Sequence, residues 1–399
     1  MTKYVLIAVA LAGCTDSKTA VTGTQSIEVT LVSPVDPGAP DRPLLDPAAR
    51  MVHLNLAAKD ENNDVDTSFS ANLQVYAQFL GTLTPEFGAV PLTTIQMTNG
   101  VATDALVNLP SVFGQTVIWI DNGSEPGPDY VHGSIAGTSP TLFFPDPFIK
   151  DLQTPRDLMG LDALTATPLQ DKQIKIDSSR NGPNGRLVVT SVFAQGYTVS
   201  DCLCGEGGAP PCTTGAFDHA MVFTFSAPRD GFGNDMVAGQ VITGFAGGLS
   251  EFLGLTEVGF PQTFSADPVP DVDPARLPAP VVVDTATWFE GITDPNGIIN
   301  FEKNEAAPIQ VNNVKVCPLD EDFDTFKQWK LDPTPGGAGE CSGDDLISVV
   351  STGITGIDPA ALVGSTLPRV VGVLRPLNFG GSGNIWLIFP RSIDDLTLP

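Results

Sequence analysis

Leu187-Val188-Val189-Thr190-Ser191-Val192-Phe193 is a seven-residue run in which five side chains are β-branched or aromatic, with neither Gly nor Pro inside it. Such side chains are stiff at χ1 and pack well on a pleated surface, so the run predicts a strand. The same texture recurs downstream at Ala220 to Ser226, at Met236 to Phe245 and from Leu255 to Val258. Upstream it appears at Ile27 to Val32, Met51 to Ala57, Leu73 to Phe79, Leu92 to Met97 and Val117 to Asp121. Forty Gly and 35 Pro are scattered between these runs without period, which marks turns. The fold class this predicts is all-β.

A chain of 399 residues exceeds one ordinary core and predicts two or three domains. Residues 26–147 carry about seven short strands, with a tight-turn signal at Asn99-Gly100, and predict an Ig-like β-sandwich. The segment also resembles bacterial surface Ig-like modules at Asn99 to Thr103 and Val107 to Leu109. Residues 148–173 change texture. Thr154-Pro155-Arg156-Asp157 followed by Leu158, Leu161 and Leu164 predicts a short helical connector with Pro near its first turn.

Residues 174–399 resemble the OB-like modules found beside extracellular bacterial nucleases and phosphoesterases. The resemblance rests on the strands from Leu187 to Val258, on Val370 to Leu374, and on Ile385 to Ser392 with Asp394 and Asp395. It implies an OB-like β-barrel region of one or two units. On this reading Ile309 to Val316 belongs to the second half of the module, and residues of about 264–308 are an insertion. No nuclease or phosphatase domain accompanies the barrel.

The N-terminus carries a different signal. Lys3, the apolar run Tyr4 to Ala12, and Leu11-Ala12-Gly13-Cys14 follow the order of a secretory signal. The run is far shorter than the roughly 20 residues of a spanning helix. Leu-Ala-Gly-Cys resembles the bacterial lipobox, which implies removal of residues 1–13, lipidation of Cys14 and a flexible tether over residues 14–25. The expected product is a lipoprotein anchored in the cell envelope. Thr15 stands where an inner-membrane retention Asp would be, so the outer membrane is the expected location.

The other cysteines, Cys202, Cys204, Cys212, Cys317 and Cys341, are disulfide candidates in an exported chain. Cys317 and Cys341 flank a loop-rich excursion. Cys212 closes onto Cys202 or Cys204, and one thiol is left over.

With 46 acidic and 20 basic residues, the formal charge of −26 disfavours nucleic acid, whose phosphates require Lys and Arg. Arg369, Arg375 and Arg391 are few beside the aromatic candidates Phe223, Phe225, Trp329 and Trp386, and the alternation around Trp386 and the two phenylalanines predicts core positions. Gly380-Gly381-Ser382-Gly383 lies between strand-like runs and predicts a hairpin loop rather than a phosphate cradle.

Asp60, Asn62, Asp64 and Asp66 place oxygens at alternate positions, a candidate calcium loop, although Val65 and Ala71 exclude an EF-hand. An acidic inter-strand turn uses the same residues. The histidines His53, His132 and His219 stand in separate contexts, and Gly248-Leu249-Ser250-Glu251-Phe252 lacks the final Gly of a nucleophile elbow. The expected function is therefore non-catalytic, without a required cofactor. It is a binding or scaffold role toward an envelope protein or glycan, with extracellular phosphate-ester or nucleic-acid metabolism as the alternative.

Overall fold

The structure is a computed structural model that describes residues 23–82, 85, 89–123, 135–158, 166–288, 295–334, 339–342, 346–377 and 385–399. The chain divides into two compact units, Met1–Phe144 and Pro145–Pro399.

The N-terminal unit is a sandwich. One sheet pairs β1 (Ser26–Ser33), β2 (Met51–Lys59) and β5 (Val101–Asn108). The other orders β4 (Thr93–Met97), β3 (Ala71–Phe79), β6 (Gln115–Asp121) and β7 (Ala136–Thr138), with β8 (Leu142–Phe143) also on β6. Alternation in β2 turns Val52, Leu54, Leu56 and Ala58 inward, where they meet Leu73, Val75, Ile118 and Ile120 of the facing sheet. The Asn99-Gly100 turn forms as expected: both residues have positive φ, and Thr98 and Val101 exchange backbone hydrogen bonds.

β7 and β1 approach so closely that a Cβ on Gly137 would stand 1.9 Å from the Ile27 carbonyl oxygen. Gly137→Ala is expected to cost about 2 kcal/mol, because the obstruction is backbone that must shift. A urea midpoint followed by circular dichroism measures it, and an unchanged midpoint contradicts it.

The C-terminal unit opens with α1 (Ile149–Gln153), where the Asp151 carboxylate accepts from the Phe148 amide. The helix precedes Thr154 instead of starting there, because a residue before proline is pushed to extended backbone and Pro155 ends the turn. Leu161 and Leu164 lie outside the described residues.

Beyond β9 (Gln173–Ile176), β10 (Gly185–Phe193), β11 (Gly196–Leu203) and β12 (His219–Phe223) form an antiparallel meander. β12 pairs in parallel with β15 (Leu255–Phe264), which pairs antiparallel with β14 (Gly244–Phe252). Only Thr243 separates β14 from β13 (Gln240–Ile242), and β13 returns to β10. The ring closes through that continuous segment. β16 (Asp271–Val272) and β9 extend it on the outside.

The same connectivity then repeats. β18 (Pro308–Val316), β19 (Gln328–Asp332) and β20 (Ile347–Val350) form a second meander. β20 runs parallel to β22 (Ile385–Phe389), and β21 (Thr366–Leu377) closes the barrel between β22 and β18. Thus Ile309 to Val316 is the first strand of a second five-stranded Greek-key barrel of OB-like kind, not the second half of the first. Its core holds Val311, Trp329, Leu331, Val349 and Ile388.

The stretch read as an insertion runs between the barrels. It carries β17 (Val281–Val282), α2 (Thr285–Trp288) and α3 (Pro295–Glu302). α4 (Glu321–Phe326), α5 (Pro359–Leu362) and β23 (Leu396–Thr397) complete the unit.

Each barrel secures the loop between its second and third strands with a disulfide, Cys204–Cys212 in the first and Cys317–Cys341 in the second. Cys202 is the leftover thiol, wholly buried beside Val188.

Candidate functional site

The first barrel bears a concave site at the end where β12 stops and the β14–β15 hairpin turns. Three features of the sequence build it. Phe223 closes β12, and two residues later Phe225 takes a φ of 59° that turns its ring out of the strand's alternation. In β15 the sequence Gly259-Phe260-Pro261 interrupts the ladder. Proline has no amide hydrogen to donate and is found in sheets at edges and bulges. Phe260 and Pro261 accordingly lie together opposite Gly247, a bulge at which Phe260 takes a φ of 49°. The hairpin turn, Leu253-Gly254, has positive φ at both residues and leaves Phe252 on its shoulder.

The outcome is a row of exposed rings. Phe225 is 52% exposed, Phe252 60% and Phe260 84%. Phe225 packs edge-on to Phe223 with centroids 4.5 Å apart, and lies 4.7 Å from the Phe260 ring. Positive φ is uncommon for bulky residues and costs on the order of 1–3 kcal/mol, and such strain concentrates at functional sites. Two exposed phenylalanines in that conformation, in mutual contact, need a reason beyond folding.

These rings border a cavity of about 560 Å³. Its polar lining comes from Asp171, Gln173, Ser250, Glu251 and Glu257, and no Lys, Arg or His is among the described residues lining it. Glu251 Oε1 accepts from the Thr167 amide at 2.6 Å and from Thr256 Oγ1 at 2.8 Å, while Oε2 is buried without a partner. Burial, set against those two donors, pushes its carboxyl up to about 7. Glu257 is also raised by burial, opposed by the charge of Arg375.

Behind Glu251 lie Glu302 and Glu305, both almost wholly buried and each with an unpartnered Oε2. Burial first, and then the neighbouring carboxylates, raises both well above the ordinary range. Gln153 of α1 is buried beside Glu305.

Comparison of the chain with protein-family models, with curated proteins and with solved structures finds no match. The residues themselves carry the functional argument.

The residues singled out from sequence fall elsewhere. Asp60 Oδ1 accepts from the amides of Asn62 and Asp64, and Asp66 accepts from Ser68 and Thr24. These carboxylates build the turn after β2. Among the described residues no group of three or more His, Cys, Asp and Glu is arranged to hold a metal ion, and the oxygens of Asp60 and Asp66 serve the turn.

His53 Nδ1 meets Asp104 at 2.8 Å on the surface. His219 is fully buried with Nδ1 2.7 Å from Ser200 Oγ, and burial pushes it down to about 4. Ser200 is equally buried, so this hydroxyl–imidazole pair is closed to any substrate. His132, Gly380, Gly381, Ser382 and Gly383 lie outside the described residues, as does Cys14.

The three arginines have protein partners. Arg391 forms a two-pronged pair with Asp395 at 2.6 and 2.9 Å, Arg369 donates to Gln310, and Arg375 lies half-buried between the rings of Phe193 and Phe389. Trp386 is a core residue, as its alternation predicts, and Trp329 is buried as well. Phe225 overturns that prediction, since its left-handed backbone faces it outward. Phe252 and Phe260 were not singled out at all. The one local signal was Gly-Phe-Pro inside an otherwise strand-like run.

Proposed function

We propose that this chain is a non-catalytic, lipid-anchored protein of the cell envelope, whose first barrel is a binding module for a small ligand held in the phenylalanine-bordered cleft. The observation that carries the binding role is the pair of strained, exposed rings, Phe225 and Phe260, at the edge of a cavity large enough for a ligand. The anchoring role rests on the signal ending in Cys14. Two disulfides agree with folding outside the reducing cytoplasm. Among the described residues no helix is long and apolar enough to cross a membrane, so lipid on Cys14 would supply the attachment. A phosphate-ester role has less support, because Arg369, Arg375 and Arg391 are engaged within the protein.

Two experiments test this reading. Palmitate fed to expressing cells is expected to label the protein and to be lost entirely in Cys14→Ser; labelling that persists in the variant removes the anchor. A fragment screen read by shifts in unfolding temperature is expected to yield compounds that stabilise the parent and not Phe260→Gly. If every stabilising compound acts equally on both, the cleft is not the binding site.

A further inference from the structure

Resting on the cleft as the ligand site, we infer that its ligand is a small organic ammonium cation, held by the phenylalanine faces and neutralised by the carboxylates of Glu251 and Glu257.

The cleft combines two kinds of surface that attract the same chemistry. The face of a phenyl ring is the negative end of its quadrupole and draws cations. Phe225, Phe252 and Phe260 present such rings around one opening. Carboxylates complete the cavity. Glu251 keeps one oxygen without a hydrogen-bond donor, Glu257 stands across the β14–β15 ladder from Ser250, and Asp171 adds a third acid.

Arg375, held between the rings of Phe193 and Phe389, bears on Glu257 through its charge but does not line the cavity, and none of the described lining residues is basic. A phosphate or anionic headgroup would meet carboxylates and no basic side chain among the described lining residues. An uncharged ligand could stack on the rings but would leave the charge of the lining carboxylates uncompensated. An ammonium group satisfies both surfaces: its N–CH₃ or N–CH₂ groups pack on the phenyl faces, and its charge compensates a carboxylate whose ionisation burial opposes.

The full chain in an uncharged detergent, titrated calorimetrically with choline and with the uncharged isostere in which carbon replaces nitrogen, tests the inference. Choline is expected to bind at least about tenfold more tightly than the isostere, the order of a partly desolvated cation–π contact. Phe260→Gly removes the ring while suiting the backbone's positive φ, and is expected to weaken choline about tenfold without lowering the unfolding midpoint. Glu251→Gln keeps the oxygen that accepts from Thr167 and Thr256 and is expected to weaken choline by a similar factor.

Equal binding of choline and isostere, lost in Phe260→Gly, overturns the ammonium inference and leaves the binding module standing. So does a neutral oligosaccharide, or a vesicle of anionic lipid, that binds through Phe260 where choline does not. Choline binding untouched by either substitution overturns the assignment to this cleft. Absence of any Phe260-dependent ligand brings down the binding module itself.

Discussion

Replacing Glu305 by Gln is expected to stabilise the C-terminal unit by on the order of 3 kcal/mol at pH 8 and to change it little at pH 5. Glu305 is 2% exposed; its Oε1 accepts from the Thr256 amide at 2.9 Å, and its Oε2 has no partner. Glu302 and Glu251 place further carboxyls nearby, so ionising any of them costs desolvation and like-charge repulsion. All three are raised above the ordinary glutamate value of 4.5, Glu251 to about 7.

The direction with pH follows. At pH below the unfolded value, native and unfolded chains are both protonated and the cluster costs nothing. Above it the unfolded chain releases protons that the native state retains, so stability falls as pH rises through the native values. For Glu251 alone, the span from 4.5 to about 7 corresponds to about 3 kcal/mol. Glutamine keeps the acceptor for Thr256 and removes the ionisation.

Three of the four tryptophans, Trp288, Trp329 and Trp386, belong to this unit, so fluorescence in urea reports on it. Comparing variant with parent at each pH cancels the general repulsion of a chain of formal charge −26. A parent whose stability is flat or rises between pH 5 and pH 8 contradicts the expectation, and so does a variant weakened at both.

The second large effect is expected from Cys317→Ser with Cys341→Ser. This disulfide closes a separation of 24 residues, from the end of β18 to the loop after β19. Freeing a loop of that size returns conformational entropy to the unfolded chain worth about 3 kcal/mol. The bond also holds Cys341 where its amide donates to Asp332 Oδ2 at 2.9 Å, a carboxylate that accepts from Thr334 as well. The loss is expected to appear in the same fluorescence transition, and dithiothreitol should impose it on the parent. Cys202→Ser changes no disulfide and separates loss of a cross-link from loss of a sulfur atom. A double variant with the parent's midpoint would show that the loop is held without the bond.

Much of the architecture was legible because it is local. Alternation places β2 and β3, Asn99-Gly100 sets a hairpin, and the run from Leu187 to Phe193 is a strand in any context. Cys317 and Cys341 were readable as a pair from the loop they flank. The partner of Cys212 was not, because Cys202 and Cys204 are both within reach in sequence. Register decides it: Leu203 and Thr213 exchange backbone hydrogen bonds, so the next facing pair is Cys204 and Cys212, while Cys202 stays inside β11.

Composition and alternation by themselves determined that the chain is all-β, strongly acidic and built from more than one domain, since charge and side-chain period are properties of each short segment. Tertiary structure alone decided that the C-terminal region is two barrels, because closure depends on β18 finding β21 more than 50 residues away. It also decided the site. Phe225 lies in the turn after β12 and Phe260 in β15, and they meet only where a left-handed turn and a bulge reverse the outlook of each; Glu251 approaches Glu302 and Glu305 only when the segment between the barrels folds against the first. Burial and strain, which mark these residues, come into being only when distant segments pack.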